Sequence, residues 1–409
     1  MRREVVVWAV VTFVLVVTGA FILRSGGGHA NPSSAATGPT SEQQQALTAG
    51  VSVRGRLLVR DGTTFFMKGF NSIALVQPDG CSQPSPQPSN AQRTYGGDML
   101  QAMLDIWGAN TVRFQVSQKG LDPADPELGA GQPEYLDRIK AGVALARAKG
   151  LVVIVSMQDQ KYACGLTRPL PSSQTLRAWQ ALAPAFKDDP DVVFELFNEP
   201  VSDDSGDGWR QWRDGGDAPV TNVGSDGSVD DVIGHQRLLD AIRALGATNV
   251  VLADGANKGG RLQNLWSGPD RNYLLRDTVQ PSRVGYAIHP YFFHIGDGAS
   301  LPEDRANWHQ RFGYLRDTAV IPARDQFPIV VTEWNASVEC RGGQEDRTGE
   351  FLAYLGRDGI GVLGHAIDAP GPLIATVPGW RPTSFSAPGG PCSPGWGAGE
   401  ALQAFFRQN

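Results

Sequence analysis

A chain of 409 residues, 41% hydrophobic and 19% charged, is long enough to bury a large core, and its ordinary composition excludes general disorder beyond the N-terminal region. The formal net charge is −6; setting aside Arg2, Arg3, Glu4 and Arg24, with their net +2, leaves −8 on the remainder, which excludes nucleic acid as an expected partner.

Segment 1–24 reads as an export signal: Arg2 and Arg3 precede Val5 to Leu23, an uncharged run long enough to cross a bilayer as one helix. A cleaved signal peptide has a shorter apolar run, of roughly 7 to 15 residues, so the length favours an uncleaved anchor. Cleavage after Ala30, with Gly28 and Ala30 as the small residues, is the alternative. The leading arginines place the N-terminus inside and the bulk of the chain outside, so a secreted or membrane-tethered extracellular protein is expected. Residues 25–49 are rich in Gly, Ser, Thr, Pro and Gln and read as a flexible linker. Residues 50–409 read as one catalytic domain.

Strand and helix patterns then alternate. Thr64 to Phe70 is the first expected strand, followed by an amphipathic helix from Gly96 to Gly108. Asn110 to Val116 is the second, and its helix, Pro133 to Gly150, has proline near its start and glycine past its end. Leu151 to Met157 is the third strand, with a helix from Ser172 to Lys187, and Val192 to Pro200 is the fourth, with a helix from Val229 to Leu245. Asn249 to Asp254, Arg283 to Tyr291, Pro328 to Trp334 and Ile360 to Asp368 are the fifth to eighth. Helices at Glu303–Asp317, Glu345–Asp358 and Gly397–Arg407 complete the alternation.

Eight apolar strands with helices between them predict an α/β fold, a (β/α)8 TIM barrel. An open doubly wound sheet is the alternative, but GFNSIAL after the first strand is no glycine-rich phosphate turn. Segments after strands are long and those leading back to strands short. In a barrel that asymmetry builds a cleft at the C-terminal ends of the strands.

Two glutamates stand at strand ends, Glu199 in FELFNEP and Glu333 in IVVTEW. Glycoside hydrolysis without a metal needs one carboxylic acid to protonate the leaving oxygen and one carboxylate to meet the oxocarbenium ion. Singly, each has a plainer reading, as a helix-capping loop residue or a surface ion-pair partner. Together with HPY after strand six and VRF in strand two, they make the chain resemble glycoside hydrolase family 5, the cellulase-type retaining glycosidases of clan A, from about Val51 onward. The resemblance implies Glu199 as acid/base beside Asn198, Glu333 as nucleophile, Arg113 beneath it, and His289 and Tyr291 at the sugar. Trp334 joins Arg113, Asn198, His289 and Tyr291 as an expected substrate contact. A buried ion pair remains the plain reading of Arg113, and a core histidine that of His289. Carboxyl groups about 5 to 5.5 Å apart give retention, a wider gap inversion, and the resemblance implies the narrow one.

The pattern departs from the family in two places. Strand three ends in Ser156, Met157, Gln158 and Asp159 where relatives commonly have a histidine. Strand eight reads GHAIDAPG where a tryptophan is usual, which leaves His365 or Asp368 to face the site. Trp209, Trp212, Trp266, Trp334, Trp380 and Trp396 are candidate sugar platforms, with ordinary packing as the competing reading for each. Asp203, Asp204 and Asp207 lack EF-hand spacing and read as a solvated loop.

Four cysteines without a CxxC pair fit disulfides in an oxidising compartment and argue against structural zinc. Because strands seven and eight adjoin in a closed barrel, Cys340 is expected to pair with Cys392, leaving Cys81 with Cys164. The function expected is that of a monomeric, metal- and cofactor-independent retaining glycosidase, an endo-β-glucanase acting on an extracellular polysaccharide or oligosaccharide. A weakly catalytic glycan-binding barrel and an envelope-remodelling transglycosylase are the alternatives.

Overall fold

Side chains alternate across a strand, so a strand closed into a barrel sends every second residue inward and the rest toward the surrounding helices. In the computed structural model, which describes residues 49–81, 96–203, 205–216, 231–262, 265, 273–291, 301–308, 326–336, 344–391 and 393–409, eight parallel strands close in this way. They are β4 (Lys68–Ser72), β5 (Thr111–Ser117), β6 (Val152–Gln158), β7 (Val192–Glu195), β8 (Val251–Asp254), β9 (Val284–Ile288), β10 (Ile329–Trp334) and β11 (Gly361–Gly364), with β11 pairing back onto β4. This is the (β/α)8 TIM barrel that the alternation predicts.

The described helices between and after the strands are α1 (Gly97–Asp105), α2 (Gln118–Leu121), α3 (Gln132–Ala148), α4 (Ser173–Phe186), α5 (Gly206–Asp214), α6 (His235–Ala244), α7 (Leu301–Trp308), α8 (Gln344–Asp358) and α9 (Gly399–Gln408). The expected helix from Glu303 to Asp317 is described only as far as Trp308.

The first barrel strand begins later than its sequence suggests. Thr63–Thr64 instead forms β3, the last strand of an antiparallel sheet with β1 (Val51–Arg54) and β2 (Leu57–Arg60). Asp61 and Gly62 between β2 and β3 both have positive φ, 51° and 78°, the backbone of a two-residue hairpin turn for which Asp-Gly is the favoured pair. This small sheet closes the N-terminal end of the barrel. Val51 and Leu58 pack there against the inward residues Met67, Val152, Ile154, Val193, Leu252, Ala287, Val330 and Leu363.

The opposite alternation set, including Val112, Phe114, Val116, Val153, Val155, Phe194 and Val331, packs outward against helix residues such as Ile139, Trp179 and Phe351. The barrel interior therefore has an apolar lower half. Its upper half, toward the strand C-termini, is polar.

Cys81, after β4, is joined to Cys164, after β6, with Cα atoms 5.7 Å apart. Cys340 and Cys392 lie outside the described residues, as do Val5–Leu23 and the linker to residue 48. Among the described residues no helix is long and apolar enough to cross a membrane. The bridge closes a sequence separation of 83 residues, so its loss should free much unfolded-state entropy. Replacing Cys81 and Cys164 together by serine should lower unfolding free energy by roughly 2–4 kcal/mol, read from urea titrations of parent and variant.

Candidate active site

The polar upper half of the barrel is organised around one guanidinium. Arg113 points inward from β5, is fully buried, and spends each of its five N–H groups on a different partner. Nη1 donates to Asn71 Oδ1 at 2.5 Å and to Glu333 Oε1 at 2.6 Å. Nη2 donates to Ser156 Oγ and Asn198 Oδ1, both at 2.7 Å, and Nε donates to Glu195. Burial alone would discourage the charge, but Glu195 first and then Glu333 hold the guanidinium protonated. Arg113 is wholly enclosed and all its donors are taken by protein groups, so what the structure shows is a group that holds others in position.

Glu333 sits where β10 breaks register, between Val331 and Trp334, so that it follows the inward Thr332 and still reaches the barrel axis. Besides Arg113, its Oε1 accepts from Gln115 Nε2 at 2.9 Å, and its Oε2 accepts from the Tyr291 hydroxyl at 3.1 Å. Burial works against ionisation here, yet His289, His365 and Arg113 hold the carboxyl well below the usual carboxylate range. Glu333 is therefore a carboxylate at any working pH. Tyr291 moves the other way: burial and then the Glu333 charge push its hydroxyl up, so it stays a donor.

Glu199 is the more open of the pair, with 22% of its side chain exposed. Its φ of 54° is a left-handed conformation that costs a non-glycine residue about 1–3 kcal/mol and is kept only where the surroundings enforce it. Asp254 Oδ2 accepts the Glu199 backbone N–H at 2.9 Å, and Asn198 N donates to Met157 O at 2.9 Å. Glu199 Oε1 lies 3.1 Å from His289 Nδ1, which is in turn 3.9 Å from Glu333 Oε2. The nearest acidic oxygens of Glu199 and Glu333 and the histidine nitrogen all lie within 4.8 Å of one another. Arg113 and His289 supply positive charge beside these two carboxyl groups.

Asn198 gives its carbonyl oxygen to Arg113, which turns the amide so that Nδ2 is the group left to donate toward a substrate. His289, fully buried, also bonds Thr332 Oγ1 through Nε2 at 3.0 Å, and Thr332 Oγ1 donates to Glu195 Oε1 at 2.7 Å. The structure thus gathers Glu199, Glu333, Arg113, Asn198, His289 and Tyr291 at one barrel end.

Trp334 is the exception. It is fully buried with its ring against Phe351 of α8, so it braces β10 from outside and, contrary to expectation, presents no face to a sugar. Trp209 and Trp212 are likewise buried, stacked edge to face on α5, because their spacing of three residues puts both on its inner side. Trp380 accepts the Trp107 indole N–H at its carbonyl, Trp396 meets Phe385 edge-on, and Trp266 lies outside the described residues. Asp203 accepts from Ser205, the cap of α5, so it serves a turn; Asp204 is not among the described residues.

At the two departures from the family pattern, inward polar groups take over. Ser156 bonds Arg113, Gln158 donates to Ser156 at 3.1 Å, and Asp159 accepts the Arg168 N–H at 2.8 Å to shape the following loop. Asp368 accepts from Ser72 Oγ and Ile73 N, tying β4 to the segment after β11, whereas half-buried His365 acts electrostatically on Glu333. Sequence reasoning missed Asn71, Gln115, Glu195, Asp254 and Thr332. The available signal was a polar residue at an inward position of an otherwise apolar strand.

The Glu333 charge first, with the hydrogen bond to Glu199, outweighs burial and pushes His289 up to about 9 from its usual 6.5. A raised pKa means that the folded state binds the proton more tightly than the unfolded one. Its stabilisation is complete below pH 6.5 and is lost as pH rises through about 9. Urea midpoints measured across that interval should fall with pH in the parent, and the fall should flatten in His289→Gln.

The model of the cellulase family, glycosyl hydrolase family 5, matches residues 78–370. An endocellulase of the archaeon Pyrococcus horikoshii superposes with a TM-score of 0.56 at 15% identity, covering 89% of this chain and 99% of that one. The catalytic domain of a Thermobifida fusca endoglucanase gives 0.51 at 18%, covering 88% and 98%. An endo-β-1,4-glucanase of Xanthomonas axonopodis gives 0.54 at 18%, covering 84% and 100%. At such identities the superpositions speak for a shared barrel, while the family match extends over well more than half of the sequence. The chain belongs to glycosyl hydrolase family 5 and is a glycoside hydrolase.

Proposed function

We propose that the protein is a retaining endo-β-glucanase that acts on an extracellular glucan chain. The observation that carries retention is the narrow spacing of Glu199 and Glu333, whose nearest oxygens fall within 4.8 Å. Inverting enzymes hold their carboxyl groups roughly 6.5–9.5 Å apart to admit a water between them. An approach of the two carboxyl groups inside 4.8 Å supports the narrower, retaining arrangement.

In this reading Glu333 attacks the anomeric carbon through Oε2, the oxygen on the Glu199 side, while Oε1 stays bound to Arg113 and Gln115. Glu199 gives its proton to the departing glycosidic oxygen, leaving a glycosyl ester on Glu333. Glu199 then takes a proton from an incoming water whose oxygen bonds to the anomeric carbon as the bond to Glu333 Oε2 breaks, which releases the sugar and restores both groups. Asn198 Nδ2 donates to the sugar 2-hydroxyl, a bond that strengthens in the transition state. The Tyr291 hydroxyl withdraws charge from Oε2 before attack and releases it as the ester forms.

Endo action and the glucan are supported by the solved neighbours, which are described as endocellulases and endoglucanases. An extracellular site of action is supported by the Cys81–Cys164 bridge, since disulfides persist in oxidising compartments.

Two measurements test the mechanism. Glu333→Ala should abolish turnover, while Glu199→Ala should lose about 10²–10⁴-fold on a natural glucan and far less on an aryl glycoside whose leaving group needs no proton. Proton NMR of the first product should show the anomeric configuration kept; initial inversion contradicts the assignment.

The substrate reading has its own check. With Trp334 buried and no tryptophan at the end of β11, affinity should depend on hydrogen bonds along an extended chain. Hence kcat/KM on soluble β-glucan oligosaccharides should rise steeply with length. Equal rates on di- and hexasaccharides would point to a pocket and exo action instead.

A further inference from the structure

Asp254, the last residue of β8, has no part in the bond-breaking steps above, yet it is fully buried one hydrogen bond from the proposed acid. Its Oδ2 accepts the Glu199 N–H at 2.9 Å and lies 3.5 Å from His289 Nε2. Its Oδ1 is buried with no donor to accept from among the described residues.

Four groups face it. Glu195 comes from β7, Arg113 from β5, His289 from the end of β9, and the Glu199 amide from the turn after β7. Neither cation is available to Oδ1. All five Arg113 donors are committed elsewhere, and His289 Nε2 is directed at Thr332 Oγ1. What remains is Glu195, itself fully buried, with acidic oxygens of the two residues inside 4.8 Å of each other. Two ionised carboxylates cannot face each other there without a donor, because each presents only acceptors.

We propose that Asp254 is a neutral carboxylic acid that donates its proton to Glu195, and that it is a positioning residue holding the main chain of Glu199 in its left-handed turn. Burial first, and then the Glu195 charge, push the Asp254 carboxyl well above the usual carboxylate range, in keeping with that state. Burial also works against the Glu195 charge, and the Arg113 guanidinium outweighs it, so the shared proton resides on Asp254. The network then closes electrically: Arg113 and protonated His289 face ionised Glu195 and Glu333. His289 keeps Glu333 as its first counter-charge.

The positioning role rests on Glu199 acting as the acid, whereas the protonation state does not, so the test reads the two separately. In the full-length protein, infrared difference spectra between parent and Asp254→Asn should show the carbonyl stretch of a protonated carboxylic acid in the parent and its loss in the variant. Asparagine can replace both functions, accepting from the Glu199 N–H and donating to Glu195, and alanine neither. On a soluble glucan, Asp254→Ala should lose about 10²-fold or more in kcat, and Asp254→Asn should recover at least about tenfold of that. On an activated aryl glycoside the Ala loss should shrink, as loss of acid placement requires and general misfolding does not. An unchanged carbonyl band in Asp254→Asn, or an Asn variant as impaired as Ala with a displaced pH profile, overturns the proposal. If the band behaves as stated but Glu199→Ala spares natural and activated substrates alike, the acid assignment fails and the protonation state stands.

Discussion

Removing a guanidinium from water is costly unless each of its donors finds an acceptor, and Arg113 meets that demand with five separate groups. The acceptors come from β4, β6 and β7, the turn after β7, and β10. One side chain therefore ties the upper ends of strands on opposite sides of the barrel. It does so just above the apolar layer, which ends at residues such as Ile154, Leu252 and Leu363. A lysine would offer three donors without a fixed plane and could not hold Asn71, Ser156, Asn198, Glu195 and Glu333 at once.

That constraint explains how two chemically identical side chains acquire different work. Glu333 lies inside the network, with both oxygens occupied by donors and cations nearby, so its charge is preset before substrate arrives. Glu199 lies at the rim on a strained turn, partly open to solvent and touching the network through His289 and its own backbone N–H. Environment assigns the roles. Fixed dipoles and charges of this kind need no rearrangement at the moment of reaction, which is where most of their catalytic value lies.

Much of the barrel was legible because parallel strands buried on both faces leave continuous apolar runs, and those runs recur eight times. The first strand was misplaced because TFFM looks as apolar as a barrel strand, although the preceding Asp-Gly pair marks a hairpin turn. The glutamates were legible as interruptions at strand ends, and the resemblance gathered Arg113, Asn198, His289 and Tyr291 around them. Glu195, Asp254 and Thr332 were not legible as site residues, since a polar residue inside a short strand reads equally as a turn approaching. The tryptophans misled for a different reason. Loop position says little about orientation, and Trp209 and Trp212 belong to a helix whose inner face they form, while Trp334 follows a register break that turns it outward.

The central claim is that Glu333, held as a carboxylate by His289, His365 and Arg113, becomes covalently glycosylated. A 2-deoxy-2-fluoro glucoside or cellobioside with an activated leaving group forms that ester quickly and releases it slowly, because the fluorine destabilises both transition states. Peptide mass spectrometry after incubation should find the fluoro-sugar on Glu333 and on no other residue. A label on Glu199, or turnover of the reagent with no trapped ester, contradicts the account.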